Sequence, residues 1–237
     1  MKRFLFYSSF IAFLIKANFY KIKYEKIKKR DIDEANRYLD EVVMEWANFV
    51  IDSIGIDLEV IGRENIPNKS CLFVSNHQSN LDIPALLSAV GKPIGLVAKK
   101  EMEKLPIMPY WMNEMHCVFI DRENPREGLK AINKGAENLK QGYSMAIFPE
   151  GTRSKGSKMG EFKKGSLKMA LKAKVPVVPV TIDGTYKSLE AYDKKSKRFD
   201  VKIIFDKPIE VKELSREESA KLLEDVRDII EKNLKEK

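Results

Sequence analysis

The sequence predicts an α/β fold: a mixed, mostly parallel sheet flanked by helices, preceded by an N-terminal helical arm. Three observations predict it. From residue 55 onward, short apolar runs of strand length alternate with amphipathic segments of helix length. Glycine and proline punctuate the joins, as at Gly55, Gly91, Pro125 and Gly142. The 237 residues are 43% hydrophobic, enough for one sizeable core and too apolar for a disordered chain. The chain divides at residue 54: basic, apolar helices over 1–54 and one α/β domain over 55–237.

The elements follow in order. Residues 31–54 read as a helix, because Ala35, Leu39, Val42, Val43, Trp46, Val50 and Ile54 recur at helical spacing. Gly55 closes it as a C-terminal cap. Alternating Ile56, Leu58 and Val60 begin the first strand. A strand over 71–74, a helix over 83–90 and a strand over 94–98 come next. A short helix at 109–115, a strand at 118–120 and a proline-started helix at 125–140 continue the alternation. Then come a strand at 145–148, a helix at 165–174 and strands at 177–182 and 201–205. Pro176 and Pro179 each remove a ladder donor, which predicts an edge or shaped strand for 175–180. The last helix opens on Ser215 and Glu218, a capping box. The charged stretch 194–198 reads as an exposed loop.

The charge is uneven. Residues 1–30 hold nine cations against Glu25 alone, which accounts for the entire net charge of +8. Such an arm suits an anionic surface. It is also densely apolar: Phe4 to Ile15 is one large apolar and aromatic run between Arg3 and Lys16. Nucleic acid has no use for that run, so it is not expected as a partner. A lipid interface does: apolar side chains enter the acyl boundary while lysine meets anionic headgroups. No run reaches the roughly 20 apolar residues of a membrane span. The expected location is the cell membrane, peripheral or monotopic, on the cytoplasmic face. A secretory signal would share the Lys2-Arg3 start, but no small-residue cleavage site follows Ile15. An ordinary helix packed on the body is the remaining alternative.

Ligands of open α/β sheets bind beyond the carboxyl ends of strands. Four features fall there. After strand 71–74 come Asn76, His77 and, five residues beyond the histidine, Asp82 at a helix start. A carboxylate on one ring nitrogen would leave the other as a base. On spacing alone the pair equally fits a plain helix cap and a loop histidine. After strand 145–148 come Glu150, Gly151, Thr152 and Arg153. Arg153 offers a planar fork for phosphate, and Glu150 could orient it or a substrate hydroxyl. A polar turn with a local ion pair fits the same residues. Arg122 ends the strand at 118–120, and residues 175–180 shape a pocket wall. With two histidines and two cysteines, His116 beside Cys117, no metal site is expected. Trp111, Met112 and Met115 read as core, with an acyl tunnel as the alternative.

Together, NHQSNLD, VFIDR, FPEGTRS and VPVVPV, in this order, resemble the four blocks of the glycerolipid acyltransferase family, of the bacterial 1-acyl-sn-glycerol-3-phosphate type. The resemblance covers roughly residues 55–210. It implies acyl transfer from acyl-CoA or acyl carrier protein to the sn-2 hydroxyl of lysophosphatidic acid, with no cofactor. His77 would be the base and Asp82 its orienting partner. Asn76, Glu150, Gly151 and Thr152 would line the site, and Lys99, Arg122 and Arg153 would hold phosphate. Periodicity does not choose between Lys99 and Lys100. Glycerol 3-phosphate or another lysolipid is the alternative acceptor. A lipid-binding module without catalysis is the alternative class. The chain has no G-x-S-x-G elbow, so a serine hydrolase is a poor reading.

Overall fold

The computed structural model of the chain describes residues 2–121, 124–190 and 198–236. Two helices, α1 (Lys2–Lys28) and α2 (Ile32–Ile54), precede the sheet. Asp31 caps α2 by accepting from the backbone N–H groups of Asp33 and Glu34, and Gly55 ends it in a left-handed conformation. The order is then β1 (Ile56–Ile61), β2 (Leu72–Ser75), α3 (Asp82–Val90), β3 (Gly95–Lys99), α4 (Met108–Glu114), β4 (Val118–Ile120), α5 (Pro125–Lys140) and β5 (Met145–Ile147). It closes with α6 (Lys168–Ala173), β6 (Val177–Asp183), α7 (Tyr186–Leu189), β7 (Phe199–Phe205) and α8 (Arg216–Lys235). The expected capping box is formed: Ser215 and Glu218 exchange side-chain and backbone hydrogen bonds.

The strands form one seven-stranded sheet in the order β1-β7-β6-β2-β5-β3-β4. Every neighbouring pair is parallel except β6 with β7. The carboxyl ends of β2, β3, β4, β5 and β6 therefore share one edge; NHQSNLD follows β2 and FPEGTRS follows β5, while VFIDR contains β4 and VPVVPV lies at the start of β6, at the opposite end from the site. The two-residue period of a strand divides the core in two. Cys71, Phe73 and Ala146 face α1 to α4. Leu72, Val74, Met145 and Ile147 face α5, α6 and α8.

Two expectations need correction. Strand β6 is central, between β7 and β2, not an edge. Its Pro179 carbonyl accepts from the Asp206 N–H at 3.0 Å. A strand residue's N and O face the same neighbour, so the missing donor of Pro179 also faces that side. The ladder therefore closes on a half-made pair: Asp206, opposite Pro179, donates to it, Pro179 has no N–H to return, and β7 stops at Phe205. The helix expected over 165–174 is shorter, because turns occupy the chain up to Lys168.

Helix α1 is apolar on two sides. Phe13, Ala17, Tyr24 and Ile27 are buried against the body. Tyr24 donates to Glu114 on α4 at 2.7 Å, and Lys28 reaches the same carboxylate at 2.6 Å. On the other side Ile11, Ile15, Phe19 and Ile22 are 58%, 57%, 67% and 56% exposed. That spacing of four, four and three residues makes one continuous apolar stripe. Among the described residues no helix is long and apolar enough to cross a membrane.

Candidate active site

The loop after β2 turns back over its own strand. His77 Nδ1 lies 2.6 Å from Asp82 Oδ2. Asp82 is fully buried and opens α3, yet it does not cap that helix: the cap position belongs to Leu81. The same Oδ2 accepts from the backbone N–H groups of Gln78 at 2.6 Å and Ser79 at 3.0 Å. Oδ1 accepts from the hydroxyl of Thr185, just past β6. A buried carboxylate without such donors would cost several kcal/mol. With the carboxylate on Nδ1, that nitrogen carries the proton and Nε2 holds the lone pair. Nε2 takes no partner among the described residues, and the ring stacks on Phe148 with centroids 4.3 Å apart.

A second buried carboxylate holds the backbone of His77. Glu150 Oε1 accepts from the His77 N–H at 2.6 Å, and Oε2 from the Gly160 N–H at 2.8 Å. Burial pushes the Glu150 carboxyl above the usual carboxylate range, while the two N–H donors oppose that rise. Of the two roles expected of Glu150, orienting Arg153 is thus corrected. Arg153 instead donates to Glu190 at 3.2 Å, and Glu190 is 10% exposed. The Ser154 N–H donates to the His77 carbonyl at 2.7 Å, so the 150s turn grips the histidine from both sides.

The turn needs Gly151. Its φ is +68°, and a Cβ there would lie 2.9 Å from Lys163 Nζ. Asn76, expected beside the substrate, has a different task. It is buried, donates to the Ile182 carbonyl and accepts from the Ile182 N–H, both at 2.8 Å. That pair ties the end of β2 to β6. Thr152 is exposed beside Arg153. Lys99 ends β3 and pairs with Glu101, while Lys100 pairs with Asp121. Asp121, Phe148, Gly151 and Lys163 line one cavity of about 200 Å³ together with apolar Ile132, Ile147 and Met169. Arg122 lies outside the described residues. Trp111, Met112 and Met115 line a smaller apolar cavity of about 80 Å³ with Phe13, Val43 and Trp46, between α1, α2 and α4. Cys71 and Cys117 are buried, and burial pushes their thiols up to about 11 and about 12.

Sequence reasoning missed Thr185, Gln78 and Gly160. Gln78 accepts from the Gly184 N–H at 2.9 Å and so joins the two loops. The available signal was topological. Asp183-Gly184-Thr185 leaves a strand parallel to β2 and must emerge beside His77.

Comparison with known proteins bears on this geometry. A family model described as Acyltransferase matches residues 57–183. A probable 1-acyl-sn-glycerol-3-phosphate acyltransferase of Mycoplasma pneumoniae is 36% identical over 65% of this chain and 62% of its own length. The match therefore spans less than two thirds of that relative. A 1-acyl-sn-glycerol-3-phosphate acyltransferase of Borreliella burgdorferi is 33% identical over 76% of this chain and 72% of its own. The crystal structure of the 1-acyl-sn-glycerophosphate (LPA) acyltransferase PlsC from Thermotoga maritima superposes with a TM-score of 0.83 at 28% identity. It covers 99% of this chain and 93% of that one.

The two N–H groups on Glu150 give a first prediction. Glu150→Gln offers one carbonyl where two oxygens now accept, so one N–H is left facing an amide donor. Urea unfolding should show a loss of about 1–3 kcal/mol. Unchanged stability would mean that Glu150 does not hold the loop.

Proposed function

The chain belongs to the acyltransferase family, and on that premise we propose that it transfers an acyl group from a thioester to the sn-2 hydroxyl of 1-acyl-glycerol-3-phosphate. The observation that carries this reading is the bond from His77 Nδ1 to buried Asp82, which leaves Nε2 as the basic nitrogen. Nε2 takes the hydroxyl proton as the oxygen attacks the thioester carbonyl. The new C–O bond forms, the C–S bond breaks, and the departing sulfur takes the proton from the imidazolium. Asp82 remains a carboxylate throughout and stabilises the positive ring. No covalent acyl-enzyme is needed. The acceptor phosphate sits on Arg153, already oriented by Glu190, with Lys99 or Lys100 as a further cation. The donor is acyl-CoA or acyl carrier protein, and no cofactor takes part.

The arm delivers the acceptor. The exposed stripe Ile11, Ile15, Phe19 and Ile22 lies in the membrane interface, and Lys23 and Lys26, exposed on the same helix, meet anionic headgroups. The protein thus sits on the cytoplasmic face of the cell membrane, peripheral or monotopic.

Two outcomes test these statements. In a labelled acyl-transfer assay, His77→Ala should lower turnover about 10²–10⁴-fold with folding intact. Arg153→Ala should raise KM for lysophosphatidate roughly tenfold or more, with the donor KM little changed. An active His77→Ala enzyme contradicts the mechanism. Separately, replacing Ile11, Ile15, Phe19 and Ile22 by Ser should abolish co-sedimentation with anionic vesicles even at low salt, since each large side chain contributes about 1.5–3 kcal/mol when buried. Undiminished binding would assign the membrane contact to another surface.

A further inference from the structure

The neutral body hides a second basic segment. Residues 151–174 carry eight cations against one anion, Glu161. Lys155, Lys158, Lys163, Lys164 and Lys168 are exposed, and none pairs with a carboxylate among the described residues. This segment is rooted at the reacting centre. The Lys155 N–H donates to the Gln78 carbonyl at 3.2 Å, and the Lys163 N–H to the Pro149 carbonyl at 3.0 Å. Lys163 and Lys164 stand at the 200 Å³ cavity beside Gly151.

The placement of the segment decides what it meets. Met159, Phe162 and Leu167 anchor it in the core shared by α5, α6 and α8. The apolar arm packs on the opposite face of the sheet, with α2, α3 and α4. A lipid surface held by the Ile11–Phe19 stripe is therefore on the other side from these lysines. Their partner approaches from water. A compact diphosphate is held best by a planar arginine fork or free backbone N–H groups, while lysine binds phosphate only as a point charge. The N–H groups of Ser154, Lys155, Gly160 and Lys163 are all already donated. Five long, mobile ammonium groups spread over 14 residues suit a broad acidic surface, where charge steers encounter more than it tightens binding.

We infer that the 155–168 segment docks an acidic carrier protein that presents the acyl thioester to His77. This rests on the acyl-transfer reading above. The experiment uses the full chain and the triple variant Lys155→Glu, Lys158→Glu, Lys168→Glu. Acyl transfer to lysophosphatidate is measured with acyl carrier protein and with acyl-CoA as donors, across a salt series. The expected result is a fall of about tenfold or more in kcat/KM for the carrier-protein donor, with its salt dependence largely lost. Kinetics with acyl-CoA should stay within about twofold, which also certifies folding, and vesicle co-sedimentation should be unchanged. An equal loss with acyl-CoA would assign the lysines to nucleotide phosphate and overturn the inference. Loss of vesicle binding would assign them to lipid, and unchanged kinetics with both donors would leave them no part in docking; both overturn it. A wild-type enzyme that accepts acyl-CoA but not the carrier protein overturns the docking claim alone. One that accepts neither sinks the acyl-transfer reading, and the docking claim with it.

Discussion

The site depends on one buried carboxylate. Asp82 receives donors from three sources: the ring of His77, the backbone of its own loop, and Thr185 beyond β6. A group that accepts but never donates, sealed from water, is stable only where donors converge on it. The parallel sheet supplies that convergence. It brings the ends of β2, β5 and β6 to one edge, so residues 77, 150 and 185 meet although the sequence separates them widely. His77 is thereby held at its ring by Asp82, at its N–H by Glu150 and at its carbonyl by Ser154. On the proposed mechanism, a base so constrained loses little freedom when a hydroxyl arrives, which is how positioning lowers a barrier.

The same sheet separates two environments. One face carries the arm, with its exposed apolar stripe and its lysines. The other carries α5, α6 and α8 and the lysine-rich segment after Arg153. The reacting edge lies between them. On the proposed function, a lipid-bound acceptor and a water-borne donor would each reach His77 from its own side of the sheet.

Much of this was legible in sequence, for identifiable reasons. Strands and helices were clear because apolar periodicity changes sharply at Gly55, Gly91 and Gly142. The His77–Asp82 pair was visible as a spacing, but spacing left a helix cap as an equal rival; only the fold shows that Leu81 occupies the cap. Local reading failed where partners are remote in the chain. Sequence offers Glu150 nearby Arg153 or a substrate hydroxyl, yet its donors are the N–H groups of His77 and Gly160, while Arg153 pairs with Glu190. Sequence places Asn76 beside the substrate, whereas its amide bonds the carbonyl and N–H of Ile182. The prolines predict an edge or shaped strand for β6; it is central, because the pair facing Pro179 needs only its carbonyl, which accepts from Asp206. Summing charge over the whole body also concealed the excess between residues 151 and 174.

The claim at the centre is that Asp82 fixes the tautomer of His77. Nitrogen-detected NMR of labelled protein in alkaline buffer tests it directly, and the chain has only two histidines to assign, His77 and His116. The account predicts a His77 ring with its proton on Nδ1 and a bare Nε2, and loss of that preference in Asp82→Asn. A His77 ring protonated at Nε2, or one unaffected by Asp82→Asn, would contradict it.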